Sequence, residues 1–211
     1  MAKRPAAPGI DVDRRRQVLE AARTAIAERG LDKLRMTHIA ELAGMSPGHI
    51  LYYFKSKDRI LVETLRWSEA EFHELLEADF EAIADAPGRL AHFIAFYVPS
   101  GPRDPSWALW LEIHGLALAD PELTAGLDKL ADAWQHDLAD IVALGIRQGH
   151  FRPVDAEDFA ERFKAMLDGY SIRVAAGHPN FHREDVIRQA IRVAAGELGI
   201  AADRLRTAVD P

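Results

Sequence analysis

One segment of this 211-residue chain limits its fold more than any other. From Ser56 to Ala84 the sequence contains neither proline nor glycine. A single helix of about 28 residues, at ~1.5 Å per residue, would extend about 40 Å, which is more than the width of a small domain. We therefore expect this helix to begin in one part of the molecule and to end in another.

The rest of the chain also has helical periodicity, and no segment shows the sustained alternation of apolar and polar residues that predicts a strand. Proline and glycine divide it into further helices, the later ones at roughly 89–98, 105–119, 121–148, 155–176 and 183–198. We predict an all-α fold of about nine helices. A small N-terminal domain of three helices should be followed by a larger helical domain.

Charge is distributed unevenly along the chain. The net charge is -7, yet residues 1–66 contain 13 lysines and arginines against 8 aspartates and glutamates. The remaining residues contain 13 basic and 25 acidic side chains. A basic segment on an acidic body indicates one part that binds a polyanion and another that does not.

Composition excludes several classes of protein. No run of about 18 apolar residues occurs, so we expect no membrane-spanning helix. The first residues lack the apolar stretch of a secretory signal. Cysteine is absent, which excludes disulfide scaffolds and cysteine-ligated zinc and agrees with the cytoplasmic location that we expect.

Residues 37–57 have the pattern of a helix-turn-helix. Gly44 can make the turn after the first short helix, Ser46 suits the N-cap of the second, and Pro47 suits its first position. Ile50 and Phe54 are four residues apart and should face a core. The residues between them then face partly outward, at the end that a recognition helix presents to the major groove.

Residues suited to binding phosphate lie at the end of this helix and directly after it. Tyrosine hydroxyls can donate to phosphate oxygens, and Lys57 would place a cation at the start of the long helix, beside free backbone N–H groups. The alternative is that Tyr52, Tyr53 and Phe54 form an ordinary core cluster next to two solvated lysines. The order of the whole set favours binding to DNA.

The stretch MTHIAELAGMSPGHILYYFKSKDRIL closely resembles the DNA-binding half of the TetR family of bacterial transcriptional regulators. With its neighbouring helices the resemblance covers about residues 13–66. It implies a homodimer on a palindromic double-stranded operator, with these DNA-binding residues: Arg35, Thr37, Ser46, Pro47, Gly48, His49, Tyr52, Tyr53 and Lys57. Two positions depart from the family pattern: Leu51 stands where tyrosine is usual, and Arg35 stands where many members have serine or threonine.

The acidic remainder resembles, more loosely, the BetI-like version of the family's C-terminal half. In that half helices enclose a small-molecule cavity, and a cavity with aromatic walls and a few polar groups is the usual form of such a site. For any one of these aromatic residues, plain core packing is the better explanation. The candidate effector-binding residues are Phe93, Phe96, Tyr97, Trp107, Trp110, Leu111, His114, Trp134, Phe163, Met166 and Tyr170.

The last two helices could pair with a second copy in a four-helix interface. The apolar residues expected there are Leu167, Tyr170, Val174, Val186, Ile187, Ile191, Val193 and Leu198. We divide the chain into a flexible N-terminal arm (1–12), a TetR-type DNA-binding domain (13–66), a ligand-binding and dimerisation domain (67–199) and a flexible tail (200–211).

These expectations describe a ligand-responsive transcriptional repressor that a small molecule of unknown identity releases from DNA. No Glu-x-x-His pair, His-Glu-x-x-His motif, phosphate loop or Gly-x-Ser-x-Gly motif occurs, so we expect no enzyme, no metal and no cofactor. The alternative is a helical ligand-binding or interaction protein whose DNA binding is weakened, which Leu51 favours and the basic N-terminal segment opposes.

Overall fold

The computed structural model describes residues 8–30, 33–118 and 121–206, and within these ranges it contains helices and no strand. The predicted all-α fold is confirmed. The ten helices are α1 (Pro8–Arg29), α2 (Met36–Leu42), α3 (Pro47–Phe54), α4 (Lys57–Ala82), α5 (Ala86–Tyr97), α6 (Pro105–Ala117), α7 (Pro121–Arg147), α8 (Ala156–Ala175), α9 (Arg183–Leu198) and α10 (Ala202–Arg206).

Contacts divide the chain into two compact units, and the long helix α4 contributes to both, as its length predicted. The N-terminal unit comprises residues up to Ala70 together with Pro105–Leu116, which is most of α6. The C-terminal unit comprises Glu71–Asp104 and the residues from Ala117 onward.

The core of the N-terminal unit fixes helices that are too short to persist alone. α2 has 7 residues and α3 has 8, whereas isolated helices below about 12–15 residues are marginal in water. Tertiary packing supplies the missing stability, because each helix buries side chains completely or nearly so. These residues are Val18, Ala22, Ala25 and Ile26 of α1, Ile39 of α2, Ile50 and Phe54 of α3, and Ile60 and Leu61 of α4.

The C-terminal unit is built on close contacts among α5, α7, α8 and α9. Its buried side chains include Leu90, Phe93 and Ile94 of α5, Leu138 and Val142 of α7, Phe159 and Leu167 of α8, and Ala190 and Ile191 of α9. Close packing extends to the end of α7, where a Cβ added at Gly145 would lie 2.0 Å from Cδ2 of Phe151.

The two ends of the chain differ from the sequence-based expectation. α1 begins at Pro8, so residues 8–12 of the expected flexible arm are helical, and residues 1–7 lie outside the described ranges. At the other end, Ala202–Arg206 form α10, which contacts α5 and α9. Leu205 is fully buried there, and the burial of this one leucine holds a segment expected to be loose. Residues 207–211 lie outside the described ranges.

The apolar residues expected at a dimer interface are mostly core residues of a single chain. Of the eight, six are at most 9% exposed: Leu167, Val174, Val186, Ile187, Ile191 and Leu198. Only Tyr170 and Val193 are half-buried. The periodicity had identified the inner face of α8 and α9, which packs against the rest of the C-terminal unit, so this assignment is corrected.

No helix in the described ranges is long and apolar enough to cross a membrane. The same residues contain no group of three or more histidines, aspartates or glutamates that could hold a metal ion.

Candidate DNA-binding surface and effector region

The turn between α2 and α3 has the geometry of a helix-turn-helix. The Ala43 N–H donates to the Ile39 carbonyl at 2.8 Å, which ends α2, and Gly44 continues at φ +60°, in the region that favours glycine. Ser46 then accepts a hydrogen bond from the His49 backbone N–H at 3.2 Å, as an N-cap does. The sequence predicted this turn residue by residue.

α3 separates its buried and exposed faces as its spacing predicted. Ile50 and Phe54 are at most 1% exposed. On the opposite face, Pro47 and Gly48 are exposed, and Tyr52 is 79% exposed. A Cβ added at Gly48 would meet no atom within 4 Å, so this part of the surface is open. The N-terminal end of α3 is therefore accessible to a large partner.

The rings on the outer side of α3 contact one another. The His49 and Tyr53 rings have centroids 5.2 Å apart, and the Tyr52 and Tyr53 rings meet edge to face at 5.4 Å. His49 and Tyr53 are half-buried, so these contacts limit the directions in which their polar atoms can point. Leu51, at the position where the family usually has tyrosine, is 41% exposed.

Lys57 lies at the first position of α4, and its ammonium donates to the Leu34 carbonyl at 2.7 Å. This bond joins the start of the long helix to the segment between α1 and α2. The Ser56 hydroxyl accepts from the Arg59 N–H at 3.1 Å and so caps α4. Capping holds the first turn of α4 in place, where backbone N–H groups and a lysine favour an anion.

Two of the predicted DNA-binding residues, Arg35 and Thr37, lie at the start of α2. Both are exposed. The Arg35 backbone N–H donates to Nδ1 of His38 at 3.2 Å. With α3 and Lys57, the N-terminal unit therefore contains all nine predicted residues, as exposed or half-buried positions of α2, α3 and the start of α4.

The contacts of α1 with α3 and α4 were not predicted from the sequence. Arg15 donates to the Tyr53 carbonyl at 3.0 Å, lies 4.6 Å from the centre of the Phe54 ring and forms an ion pair with Glu63. It thereby joins α1, α3 and α4. Arg14, one position earlier, contacts the His49 ring. The run Arg14-Arg15-Arg16 was the available signal, since successive helical residues point about 100° apart and reach different neighbours.

In the C-terminal unit, four predicted aromatic residues form one cluster. Trp134 lies at its centre, with ring centroids 6.0 Å from Phe93, 6.3 Å from Phe96 and 5.3 Å from Tyr97. Phe93 and Tyr97 stack at 5.7 Å. We call Phe93, Phe96, Tyr97 and Trp134 the aromatic cluster.

Polar groups border the aromatic cluster. The Tyr97 hydroxyl donates to Asp168 Oδ1 at 2.5 Å, and the Lys164 ammonium donates to Asp168 Oδ2 at 2.9 Å. The ring centroids of His73 and Trp134 are 4.4 Å apart, and His73 Nδ1 is 2.9 Å from Asp137 Oδ2. These residues were missed because His73 lies in the long helix, and because Lys164 and Asp168 look like an ordinary surface pair four residues apart.

The other predicted effector-binding residues lie elsewhere. Trp107, Trp110, Leu111 and His114 are on α6, which the contacts assign to the N-terminal unit. The His114 ring nitrogen Nδ1 bonds to the Trp110 carbonyl at 2.9 Å.

Three more of the predicted residues are on α8, where each has a different setting. Phe163 is buried and stacks on Phe159 with centroids 5.1 Å apart, and Tyr170 meets Phe181 at 6.0 Å. Met166 is half-buried. The structure thus groups four of the eleven predicted residues into one aromatic cluster and distributes the rest among other contacts.

Comparison with known families bears on both halves. Residues 18–64 match the family described as bacterial regulatory proteins of the tetR family. Residues 86–199 match the family described as the BetI-type transcriptional repressor, C-terminal. The chain belongs to the TetR family of transcriptional regulators. The resemblance inferred from the sequence is thereby confirmed for both halves, and with it the function of a DNA-binding transcriptional repressor.

Several TetR-family proteins are similar over most of their length. The HTH-type transcriptional regulator BetI of Rhizobium meliloti is 29% identical over 167 residues, which are 78% of this chain and 79% of that protein. The fatty acid metabolism regulator protein of Bacillus subtilis is 28% identical over 136 residues, 64% of this chain and 70% of that protein.

One similar structure is that of a transcriptional regulator from Saccharomonospora viridis in complex with choline. It is 30% identical, has a TM-score of 0.80 and aligns with 87% of this chain and 96% of its own.

Proposed function

We propose that this TetR-family protein is a ligand-responsive repressor that binds a palindromic operator as a homodimer. The outer face of α3 enters the major groove, and a small molecule bound in the C-terminal unit releases the DNA. The observation that carries the proposal is the capped, open N-terminal end of α3 within a segment of net positive charge. Free backbone, ring nitrogens and hydroxyls at that end suit base edges and phosphates.

The nine DNA-binding residues divide into two roles. Gly48 and His49 read bases, since they lie in the first turn of α3 with open surface before them. The others, Arg35, Thr37, Ser46, Pro47, Tyr52, Tyr53 and Lys57, contact the sugar-phosphate backbone or shape the helix end. This division is supported by chemistry, because hydroxyls and cations suit phosphate oxygens, whereas a ring nitrogen can distinguish base edges.

Operator binding is tested by selecting from a library of random-sequence duplexes and by footprinting the DNA that flanks the protein's own gene. The affinity for the selected duplex should fall linearly with the logarithm of salt concentration. A slope near zero, with no sequence selected, would contradict the proposal and favour the alternative of a helical ligand-binding protein with decayed DNA binding.

Homodimerisation is supported by the outer faces of α8 and α9. Gly169 and Gly196 are exposed within these helices, and a Cβ added to either would meet no atom within 4 Å. An exposed glycine in a helix costs about 1 kcal/mol relative to alanine. Gly115 of α6 and Gly126 of α7 are open in the same way, so what sets Gly169 and Gly196 apart is that they lie on two helices that pack against each other. Such a pair allows close approach of a second copy, since two helices without side chains at the contact can lie nearer to each other.

Gly169→Trp tests this dimer face. The new side chain would lie on the surface of one chain but between two chains in a dimer. We expect a monomer by sedimentation and a loss of operator affinity of at least tenfold, with the helical content unchanged. Gly126→Trp, at another open glycine on α7, is the matched control and should remain a dimer. A Gly169→Trp dimer with full affinity would contradict the assignment.

For the effector, we propose an organic cation of the choline class bound at the aromatic cluster. Aromatic faces attract quaternary ammonium groups, and the Asp168 carboxylate and Tyr97 hydroxyl supply polar partners at the same place. The similarity to a regulator crystallised with choline agrees with this class.

Calorimetry with choline tests the effector class. Its uncharged isostere, in which carbon replaces the nitrogen, is the matched control because it has the same shape without the charge. We expect choline to bind and the isostere to bind at least tenfold more weakly. Trp134→Leu should weaken choline binding as well. Equal affinity for both compounds, or binding of a long-chain acyl compound instead, would contradict this class of effector and leave the DNA-binding function standing.

A further inference from the structure

α1 contains three consecutive arginines whose side chains have different neighbours. Arg15 is joined to α3 and α4 through the Tyr53 carbonyl, the Phe54 ring and Glu63. Arg16 pairs with Glu20 of its own helix at 2.9 Å. Arg14 reaches α3, where its Nη1 lies 3.4 Å from Nε2 of His49, and it is exposed. Arg14 is thus the arginine of this run that contacts the base-reading end of α3.

We infer that Arg14 is a positioning residue for base recognition by His49 and also adds one cation to the DNA-binding surface. The inference rests on the proposed function, in which α3 reads the operator. It adds a residue on α1, a helix to which the sequence assigned no role in reading bases.

The contact between Arg14 and His49 determines which ring nitrogen of His49 can act as a donor. A guanidinium has only N–H donors, so the His49 nitrogen that faces Arg14 must be an acceptor. With Nε2 as acceptor, the neutral ring carries its hydrogen on Nδ1. The contact therefore favours the tautomer that carries its hydrogen on Nδ1, in which Nδ1 is the donor.

A fixed donor selects among base edges. In the major groove, guanine N7 and O6, adenine N7 and thymine O4 are acceptors, whereas cytosine N4 and adenine N6 are donors. His49 with its hydrogen on Nδ1 therefore favours the acceptor edges. Without Arg14, the other tautomer becomes available, and donor edges should be accepted as well.

The Tyr53 ring supports the same arrangement from the side of α3. It lies 5.2 Å from the His49 ring, and its carbonyl accepts from Arg15. Tyr53 and Arg14 together limit the rotation of the imidazole, and Arg15 holds α1 at the distance at which Arg14 can reach it. Arg15 makes three contacts with α3 and α4, so removing Arg14 leaves the attachment of α1 intact.

The experiment compares five proteins on one library of random-sequence duplexes. They are the wild-type protein, Arg14→Gln, His49→Ala, the double variant, and Arg16→Gln, which removes the same charge two positions further along α1. For each protein we would measure the selected sequences, the affinity for the wild-type consensus duplex and its dependence on salt. Urea unfolding of each variant shows whether the fold is kept.

For Arg14→Gln we expect a salt slope smaller by about one and a broader base preference at the position that His49→Ala also alters. Discrimination there should fall from roughly tenfold to about threefold or less. In the double variant, base preference should equal that of His49→Ala alone, because Arg14 acts through His49. Arg16→Gln should keep the wild-type preference.

The outcomes separate this inference from the proposed function. If the wild-type protein selects no sequence, the DNA-binding proposal fails. If it selects a sequence and Arg14→Gln selects the same one with equal discrimination, the role of Arg14 alone is overturned. It is also overturned if the effects of Arg14→Gln and His49→Ala on base preference are additive, since independent residues would behave in that way.

Discussion

One hydrogen bond and the position of Lys57 in α4 determine what its substitution should do. Its ammonium bonds to the Leu34 carbonyl at 2.7 Å, and it stands at the first position of α4, where an anion is favoured. Because a phosphate contact carries no sequence information, Lys57→Ala should weaken binding almost equally for all duplexes and reduce the salt slope by about one.

Titration of the selected operator and of an unrelated duplex at several salt concentrations measures this effect. Lys129→Ala, at an exposed lysine on α7, is the control and should change neither quantity. A preference for particular bases that appeared in Lys57→Ala would contradict the phosphate role.

Lys55 carries a backbone conformation that its side chain disfavours. It follows α3 with φ 66° and ψ -35°, in the left-handed half of the map where glycine has no steric penalty. Replacing Lys55 by glycine would relieve backbone strain of ~1–3 kcal/mol. Glycine also raises the conformational entropy of the unfolded chain, which costs only ~0.4–1 kcal/mol of stability.

We therefore expect Lys55→Gly to raise the free energy of unfolding by about 1 kcal/mol, measured by urea denaturation. Lys55→Val keeps the strain and adds a branched side chain, so it should lower the same quantity. Loss of stability in Lys55→Gly would show that the side chain has a stabilising role that outweighs the strain.

The sequence predicted the roles of individual residues that depend only on positions nearby in the chain. Ser46 as N-cap and Gly44 as turn depend on chemistry within four residues, and both are as expected. Arg14 and Arg15 escaped prediction because their partners, His49 and Tyr53, are 35 and 38 positions away. A charged run shows that cations are present but not which neighbour each one meets.

Among the helices, α7 offers a matched test of packing. Gly126 and Gly145 both lie within it, yet a Cβ at Gly126 would meet no atom within 4 Å, while one at Gly145 would lie 2.0 Å from Phe151. Alanine is a better helix former than glycine by about 1 kcal/mol, so Gly126→Ala should stabilise the protein by ~0.5–1 kcal/mol.

Gly145→Ala should have the opposite sign, because the Phe151 ring must move out of a buried position. Overpacking of this kind costs about 1–3 kcal/mol, which exceeds the gain in helix propensity. Thermal and urea unfolding of the two variants measure the difference directly. Similar stabilities would mean that Phe151 relocates without cost and is not part of a close-packed contact.

The helices themselves were predictable, and their neighbours were less so. Breaks at proline and glycine located α5 to α9 to within a few residues, because these residues end helices through backbone geometry alone. Which helices pack against each other could not be predicted from the sequence. α6 belongs by contact to the N-terminal unit, and the inner faces of α8 and α9 pack within one chain. An apolar stripe shows that a face is covered without showing what covers it.

Across the whole molecule, α4 contributes long stretches to both units, with residues up to Ala70 in the N-terminal unit and residues from Glu71 in the C-terminal unit. Its C-terminal end is anchored in the C-terminal unit. Arg89 donates to the carbonyl of Phe80, in the last turn of α4, at 3.0 Å and to that of Ile83, just after α4, at 2.8 Å. Gln148 donates to the Ala84 carbonyl at 3.1 Å and accepts from the Ala86 N–H at 2.9 Å.

This anchor suggests how an effector could act on operator binding. A ligand that prefers one arrangement of the C-terminal helices would shift the end of α4, and with it the separation of the two recognition helices in the dimer. Such a coupling is a free energy, typically ~1–3 kcal/mol, and it must be reciprocal. If choline lowers operator affinity by some factor, operator DNA must lower choline affinity by the same factor.

Gln148→Ala tests whether the anchor transmits this coupling. It removes the two bonds that tie the segment between α4 and α5 to the end of α7, and Gln148 is exposed, so the fold should persist. We expect the affinity for choline alone and the affinity for operator alone to change less than threefold. The factor by which each ligand changes the affinity for the other should fall toward one. Arg147→Ala, the neighbouring exposed position, is the control and should keep the full factor.

Calorimetry with and without the operator duplex, together with operator titrations with and without choline, gives both factors independently. Unequal factors in the wild-type protein would show that binding was not at equilibrium, and an undiminished factor in Gln148→Ala would place the transmission elsewhere along α4.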